Sequence, residues 1–368
     1  MPLAPAAPAS EALHTRMRMW VDAFEAEAAM PESFDLLACD IARFQAARIP
    51  GFARLLAARG LAPQALARAD EIPAVPTDAF KLTRVATFPT EDARSVFRTS
   101  GTTLGARGTH ELRDPSTYDR GAVAFGRRWL ARDLDEKVPV VVLAPEPGTI
   151  DESSLVHMCA RFVDAFGTRS AFVIDQDGVF DLSTFDEIVA YALANKEPVM
   201  VLGTSFAFVH FLDAIGDDLF PLPPTSRVMQ TGGYKGKSRE VPKAELRAKL
   251  SRAFGIPERA IVAEYGMTEL SSQFYERTLF DERAPFDVFV EPPWARVVPV
   301  DPDTLEPVKN GEVGIAKILD LANVDSAVAV LTQDEVRRVD DGFELLGRAK
   351  GAPPRGCSIA IDELLGRT

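Results

Sequence analysis

From residue 11 to 69 apolar side chains return every three or four positions. Trp20, Phe24, Phe34, Leu37, Ile41, Phe44, Phe52, Leu55 and Leu56 mark the buried stripes of successive helices. Between 96 and about 264 the texture alternates. Short apolar runs at Val138 to Leu143, Ala171 to Ile174, Val199 to Leu202, Arg227 to Gln230 and Ile261 to Ala263 contain few polar residues, as suits strands covered on both faces. Helices are predicted between them near 115–132, 152–166, 183–194, 205–214 and 241–254, the last with Pro242 near its first turn and Leu246, Leu250 and Phe254 on one side. This alternation predicts an α/β fold with a mainly parallel sheet and flanking helices. Past 285, short strands and turns such as Asp301-Pro302-Asp303 and Lys309-Asn310-Gly311-Glu312 predict a small β subdomain. The expected organisation is a helical region and connector at 1–95, an α/β core at 96–284 and a β-rich segment at 285–368.

Composition narrows the class. The 368 residues, 46% hydrophobic and 26% charged, suffice for a large core in two or three subdomains. A formal charge of -13 argues against a nucleic-acid partner, so any polyanionic ligand has to be small and locally neutralised. The opening MPLAPAAPAS lacks a basic flank and is broken by prolines, and no apolar run can span a bilayer, so the expected location is cytoplasmic. Cysteines at 39, 159 and 357 and four scattered histidines provide neither a disulfide framework nor metal-ligand spacing.

Thr99 to Gly108 reads TSGTTLGARG and follows Val96-Phe97-Arg98. Small hydroxyls alternating with glycine let a backbone turn tightly and present O–H and N–H donors together, the chemistry a polyphosphate needs. Ser100, Gly101, Thr102 and Thr103 are the candidate phosphate contacts and Arg107 the accompanying cation, although such clusters also form loops of other kinds. A second loop, Thr-Gly-Gly-Tyr-Lys-Gly-Lys-Ser-Arg at 231–239, again follows a strand, and Gly232 and Gly233 allow its backbone to lie against a flat ring. Lys235 and Lys237 either face phosphate or solvate the loop. The third segment is Tyr265-Gly266-Met267-Thr268-Glu269, an aromatic ring that can stack on a base, a glycine permitting close approach, a hydroxyl and a hard carboxylate. His157, in Asp151 to Met158, sits where a strand feeds a helix and is either near the substrate or structural.

The pair TSGTT and YGMTE resembles the adenylate-forming superfamily, and IPAVPTDAFK at 72–81, TGGYKG and Arg355-Gly356-Cys357-Ser358 resemble the bacterial acyl-protein synthetases in particular. The phosphate loop departs from the family pattern, with Leu104 where glycine is usual and Arg107 at the lysine position. The resemblance implies the N-terminal domain type of adenylate-forming enzymes, with the mobile C-terminal domain absent. It further implies ATP and Mg²⁺, with Glu269 as the metal ligand, Tyr265, Gly266 and Thr268 at the nucleotide, Asp334 at the ribose, Arg348 near the hinge, and Cys357 as acyl acceptor. Lys350 and Arg355 are expected to lower the Cys357 thiol pKa, whereas Cys39 and Cys159, among apolar neighbours, are expected to be inert. The implied activity is ATP-dependent activation of a carboxylic acid, a long-chain fatty acid by family, then transfer to Cys357 for delivery to a reductase or acyltransferase partner. Two alternatives stay open: transfer straight to coenzyme A or a carrier-protein thiol, and a nucleotide-binding subunit without catalysis.

Overall fold

The computed structural model describes residues 6–99, 107–149, 152–232, 241–349 and 355–367. The expected helices open the chain. Helix α1 (Ala6–Glu25) buries Leu13, Met17, Trp20 and Val21. Ser33 caps α2 (Phe34–Ala46) by accepting from the Leu36 amide at 3.2 Å, and α3 (Pro50–Ala58) begins with proline, whose missing N–H costs nothing in a first turn. Two prolines predict only an extended connector at 72–81, and here the structure differs. Val75–Pro76 forms strand β1, which pairs in parallel with the strand Ala329–Val339, and the Thr77 amide donates to the Leu331 carbonyl at 3.0 Å. One turn of helix, α4 (Ala79–Leu82), follows. Strands β2 (Ser95–Arg98) and β3 (Thr109–Leu112) make an antiparallel ribbon, and α5 (Ser116–Gly126) leads away from it.

The alternating region builds the predicted sheet. In chain order come β4 (Val138–Leu143), α6 (Ser154–Phe166), β5 (Gly167–Phe172), α7 (Leu182–Asn195), β6 (Met200–Thr204), α8 (Ser205–Ile215), β7 (Arg227–Thr231), α9 (Lys243–Phe254), β8 (Ile261–Tyr265), β9 (Phe274–Glu276) and β10 (Val288–Val290). Strands β8, β7, β6, β4 and β5 lie side by side, all parallel, and β9 joins β8 antiparallel. Alternate residues of β4 and β6 face opposite ways and all but Thr204 are buried, as a doubly covered sheet requires. One face carries Val141, Val201, Val228 and Ile261 against α7, α8 and α9, whose Phe185, Phe211 and Phe254 rings cluster with Phe220. Phe208 and Phe211 are core residues of this cluster, while Phe206 lies against His210. Strand β5 starts at Gly167, earlier than the apolar run at Ala171, because an edge strand is half-exposed and needs no continuous apolar run.

Strands β11 (Ala295–Val300), β12 (Val313–Asp320), β13 (Ala329–Val339) and β14 (Gly342–Arg348) form the antiparallel sheet expected after 285, and α10 (Arg355–Leu365) follows. The first residues of β13 lie between β12 and β1. Helix α10 buries Cys357, Ala360 and Leu364 on one side. It is tied to α3 through Arg54 Nε donating to the Leu364 carbonyl and through Arg59 with Glu363, each at 2.9 Å.

By compactness the chain divides into two units. The first comprises the chain up to Ala124, Thr268–Ser272 and the chain from Val290 onward; the second comprises Phe125–Met267 and Gln273–Phe289. The expected boundary near 95 is therefore not a unit boundary. Strand β1 and helices α2 and α3 are bound to the C-terminal strands and helix, as when Gln45 Nε2 donates to the carbonyls of Asn323 and Val324.

Candidate active site

The glycine-rich segment is the stretch of chain between β2 and β3. Beyond the last strand pair, Arg98 with Thr109, the Thr99 amide donates to the Gly108 carbonyl at 2.9 Å and the Gly108 amide to Thr99 Oγ1 at 2.8 Å. Arg107 Nε donates to the Thr99 carbonyl at 2.8 Å, so the candidate cation is held at the loop's base. Ser100, Gly101, Thr102 and Thr103 lie outside the described residues.

Strand β3 also carries a residue that sequence reading passed over. His110 Nδ1 is 2.7 Å from the carbonyl oxygen of Thr268, and the ring is 1% exposed with the edge of Phe80 against it. Burial pushes its pKa down to about 4, against the opposing hydrogen bond to Thr268, so the imidazole is neutral. Its Nε2 is buried with no hydrogen-bond partner among the described residues. The only sequence signal was position: a histidine two residues past the phosphate loop, in a strand otherwise reading as plain scaffold.

Further side chains fix the segment after Thr268. Asn323 Nδ2 donates to the Glu269 carbonyl at 2.9 Å and its Oδ1 accepts from Ser271 Oγ at 2.6 Å. Asp320, wholly buried, accepts from the Ser271 amide at 2.8 Å and Ser272 Oγ at 2.7 Å. Burial raises the Asp320 pKa, with these donors opposing. Thr268 and Glu269 thus stand on backbone gripped by the ribbon and by the residues around the end of β12. Glu269 is 7% exposed, and its hard oxygens on so rigid a segment fit a magnesium ion.

In the second unit, the ends of β7 and β8 bring Thr231 opposite Glu264, and Thr231 Oγ1 donates to Glu264 Oε2. Burial pushes the Glu264 carboxyl up to about 7, with the Thr231 hydrogen bond opposing. A Cβ at Gly266 would lie 2.5 Å from Glu264 Oε1, so a larger residue there would displace that carboxyl. Gly232 has φ +70, and its carbonyl accepts from Ser205 Oγ at 2.7 Å. The Tyr265 ring packs beside Phe274 and Phe289 and is 7% exposed, so little of it faces outward. Gly233, Lys235 and Lys237 lie outside the described residues. His157 is half-buried in the first turn of α6, whose N-cap is Ser153, accepting from Val156 at 3.3 Å; its segment is in that respect a helix start. Cys159 is deeply buried and its pKa raised, and Cys39 likewise, as expected of inert core thiols.

Asp334 and Arg348, separate in sequence, are direct neighbours across β13 and β14. Arg348 Nη2 donates to Gln333 Oε1 at 3.0 Å, and Gln333 Nε2 to Asp78 Oδ2 at 2.8 Å, while Lys81 pairs with Asp78 at 2.6 Å. The proline-rich segment thereby enters the same network. Cys357 is 2% exposed, and the expectation of a lowered thiol pKa is not met: burial first, then the Asp78 carboxylate, push it up to about 11. Lys350 lies outside the described residues.

A parallel α/β sheet covered on both faces and, in the other unit, a two-stranded antiparallel ribbon are elements of the fold found in adenylate-forming ligases. The fold matches an open conformation of 2-hydroxyisobutyryl-CoA ligase solved with 2-HIB-AMP and CoA, with TM-score 0.61, 12% identity, and coverage of 85% of this chain and 74% of that one. Residues 63–366 match the family described as acyl-protein synthetase, LuxE, and the chain belongs to that family of ligases. It is 24% identical over 315 residues to the long-chain-fatty-acid–luciferin-component ligase of Aliivibrio fischeri, covering 80% of this chain and 79% of the relative. With the ligase of the same name from Vibrio harveyi the identity is 22% over 316 residues, covering 80% and 78%. No helix among the described residues is long and apolar enough to cross a membrane.

Proposed function

We propose that this protein uses ATP to activate a carboxylic acid, a long-chain fatty acid by analogy with its relatives, and then carries the acyl group on Cys357. The observation supporting this most is the family match across 63–366, which contains the hydroxyl-rich loop, TGGYKG, YGMTE and RGCS together. In the first step a carboxylate oxygen attacks the α-phosphorus of ATP and pyrophosphate leaves, giving an acyl adenylate. Ser100, Gly101, Thr102, Thr103 and Arg107 would hold the phosphates, Gly232, Gly233, Tyr265, Gly266 and Thr268 the nucleoside, Asp334 the ribose, and Glu269 the magnesium ion, which supplies charge compensation. Lys235 would face the phosphates, and His157 the acid. In the second step Cys357 Sγ attacks the acyl carbon, the thiol proton passes to a base, and AMP departs, leaving a thioester. The setting is cytoplasmic, and the acyl group passes to a reductase or acyltransferase partner.

A second reading, direct transfer to coenzyme A or a carrier thiol, is favoured by one observation: in this arrangement Cys357 is buried and its thiol protonated. One experiment separates the two. Native protein incubated with ATP, Mg²⁺ and labelled fatty acid should retain label that neutral hydroxylamine removes. Cys357→Ala should carry none while still exchanging labelled pyrophosphate into ATP. Equal labelling of the variant, or acyl-CoA formation by a native protein that never labels, would exclude the covalent route.

A further inference from the structure

On the reading that this chain binds ATP, we propose that His110 is a positioning residue with two separate tasks, clasping the Thr268 carbonyl through Nδ1 and accepting, at Nε2, from a water that bridges to the nucleotide phosphates. The clasp is direct geometry. A carbonyl oxygen can only accept, so Nδ1 at 2.7 Å carries the proton, and the neutral ring has its lone pair at Nε2. The second task follows from what that lone pair lacks. A buried acceptor without a donor is costly, and native proteins leave few of them; those that remain usually mark a bound water or a working site. His110 stands two residues from Gly108, where the phosphate loop re-enters the ribbon, and its other nitrogen grips the residue before Glu269.

The donor's chemistry is constrained. Phosphate and carboxylate oxygens are acceptors at neutral pH and cannot face Nε2 directly. A water can, giving one proton to the imidazole and the other to a phosphate oxygen, with nothing transferred or ionised. The arrangement joins the exit of the phosphate loop to the YGMTE segment through a single ring whose charge does not change.

Two substitutions divide the tasks. In His110→Asn the side-chain amide can still donate to the Thr268 carbonyl from near the Nδ1 position but reaches nothing at Nε2, whereas His110→Ala removes both contacts. With native protein as reference, dissociation constants for Mg·ATP and for adenosine are measured by calorimetry without acid, along with melting temperature and the KM and kcat of pyrophosphate exchange. Expected are a lowered melting temperature for His110→Ala, near-native melting for His110→Asn, and ATP binding by the asparagine variant weakened about three- to ten-fold, the loss expected for one neutral hydrogen bond. The loss should appear in KM for ATP and be absent with adenosine. Native ATP affinity in His110→Asn would overturn the water bridge, and an equal loss with adenosine would overturn its phosphate end. Native melting and native ATP binding in His110→Ala would overturn both tasks. Failure of native protein to bind ATP at all would instead overturn the nucleotide reading of the whole chain. Should His110→Ala fail to fold, the asparagine variant alone decides.

Discussion

Glu264 is a carboxyl whose proton is held by its surroundings. Its pKa stands at about 7 against an ordinary 4.5, because burial penalises the ion more than the Thr231 hydroxyl supports it. The folded protein therefore binds this proton more tightly than the unfolded chain. The stability it contributes is fully present below 4.5 and lost as pH rises through 7, about 3 kcal/mol in all. The titratable group facing it is Cys159 on α6, itself protonated throughout that range. Glu264→Gln, which keeps the shape without the charge, should flatten the fall in melting temperature between pH 5 and pH 8; a slope equal to the native one would show that Glu264 is already ionised. Neither this residue nor His110 stood out in the sequence. Each lies in a short strand, and what gives it meaning is a partner on another segment: Thr231 on the neighbouring strand for one, the Thr268 carbonyl for the other. Asp334 and Arg348 were named singly by a family resemblance, and that they stand opposite each other across β13 and β14 is visible only in the fold.

At the scale of elements, α10 is held by unusually close packing at its start. The Gly356 amide donates to the Pro302 carbonyl at 2.9 Å, and a Cβ at Gly356 would lie 2.6 Å from that same oxygen and 2.7 Å from Leu305 Cδ2. Backbone cannot yield as a flexible side chain can. Gly356→Ala should lift the first turn and uncover the neighbouring Cys357, so that one thiol reacts with Ellman's reagent about ten-fold faster or more while Cys39 and Cys159 stay protected. An unchanged rate would mean that the contacts with α3 alone keep the thiol covered. The helices and central strands were readable from periodicity because local pattern and final burial agree there. Strand β1 was not, because two prolines mask a strand whose partner, β13, is remote in sequence. The Cys357 environment was misread for a related reason: flanking cations are visible in sequence, but an amphipathic helix laying its cysteine inward is a tertiary fact.

For the molecule as a whole, the first unit is stitched from the two ends of the chain. Gln45 of α2 makes three buried bonds to the turn before β13, donating to the Asn323 and Val324 carbonyls at 2.7 and 2.9 Å and accepting from the Val328 amide at 3.0 Å. Gln45→Leu would leave those backbone groups unpaired and should cost about 3 kcal/mol, read as a lower denaturation midpoint in urea with the slope unchanged. A loss below about 0.5 kcal/mol would show that the turn finds other partners. The same stitching has a temporal side. During synthesis the residues at 138–265 can pair strand with neighbouring strand as they emerge, since each crossover is local. The helices at 6–58 can pack on one another once made, as Trp20 does on Phe34, but they and the strand at 75 must wait for their remaining cover until the strand at 329–339 leaves the ribosome. The portion of the protein translated earliest is thus the one completed latest, and it is there that a nascent chain would most need a chaperone's cover.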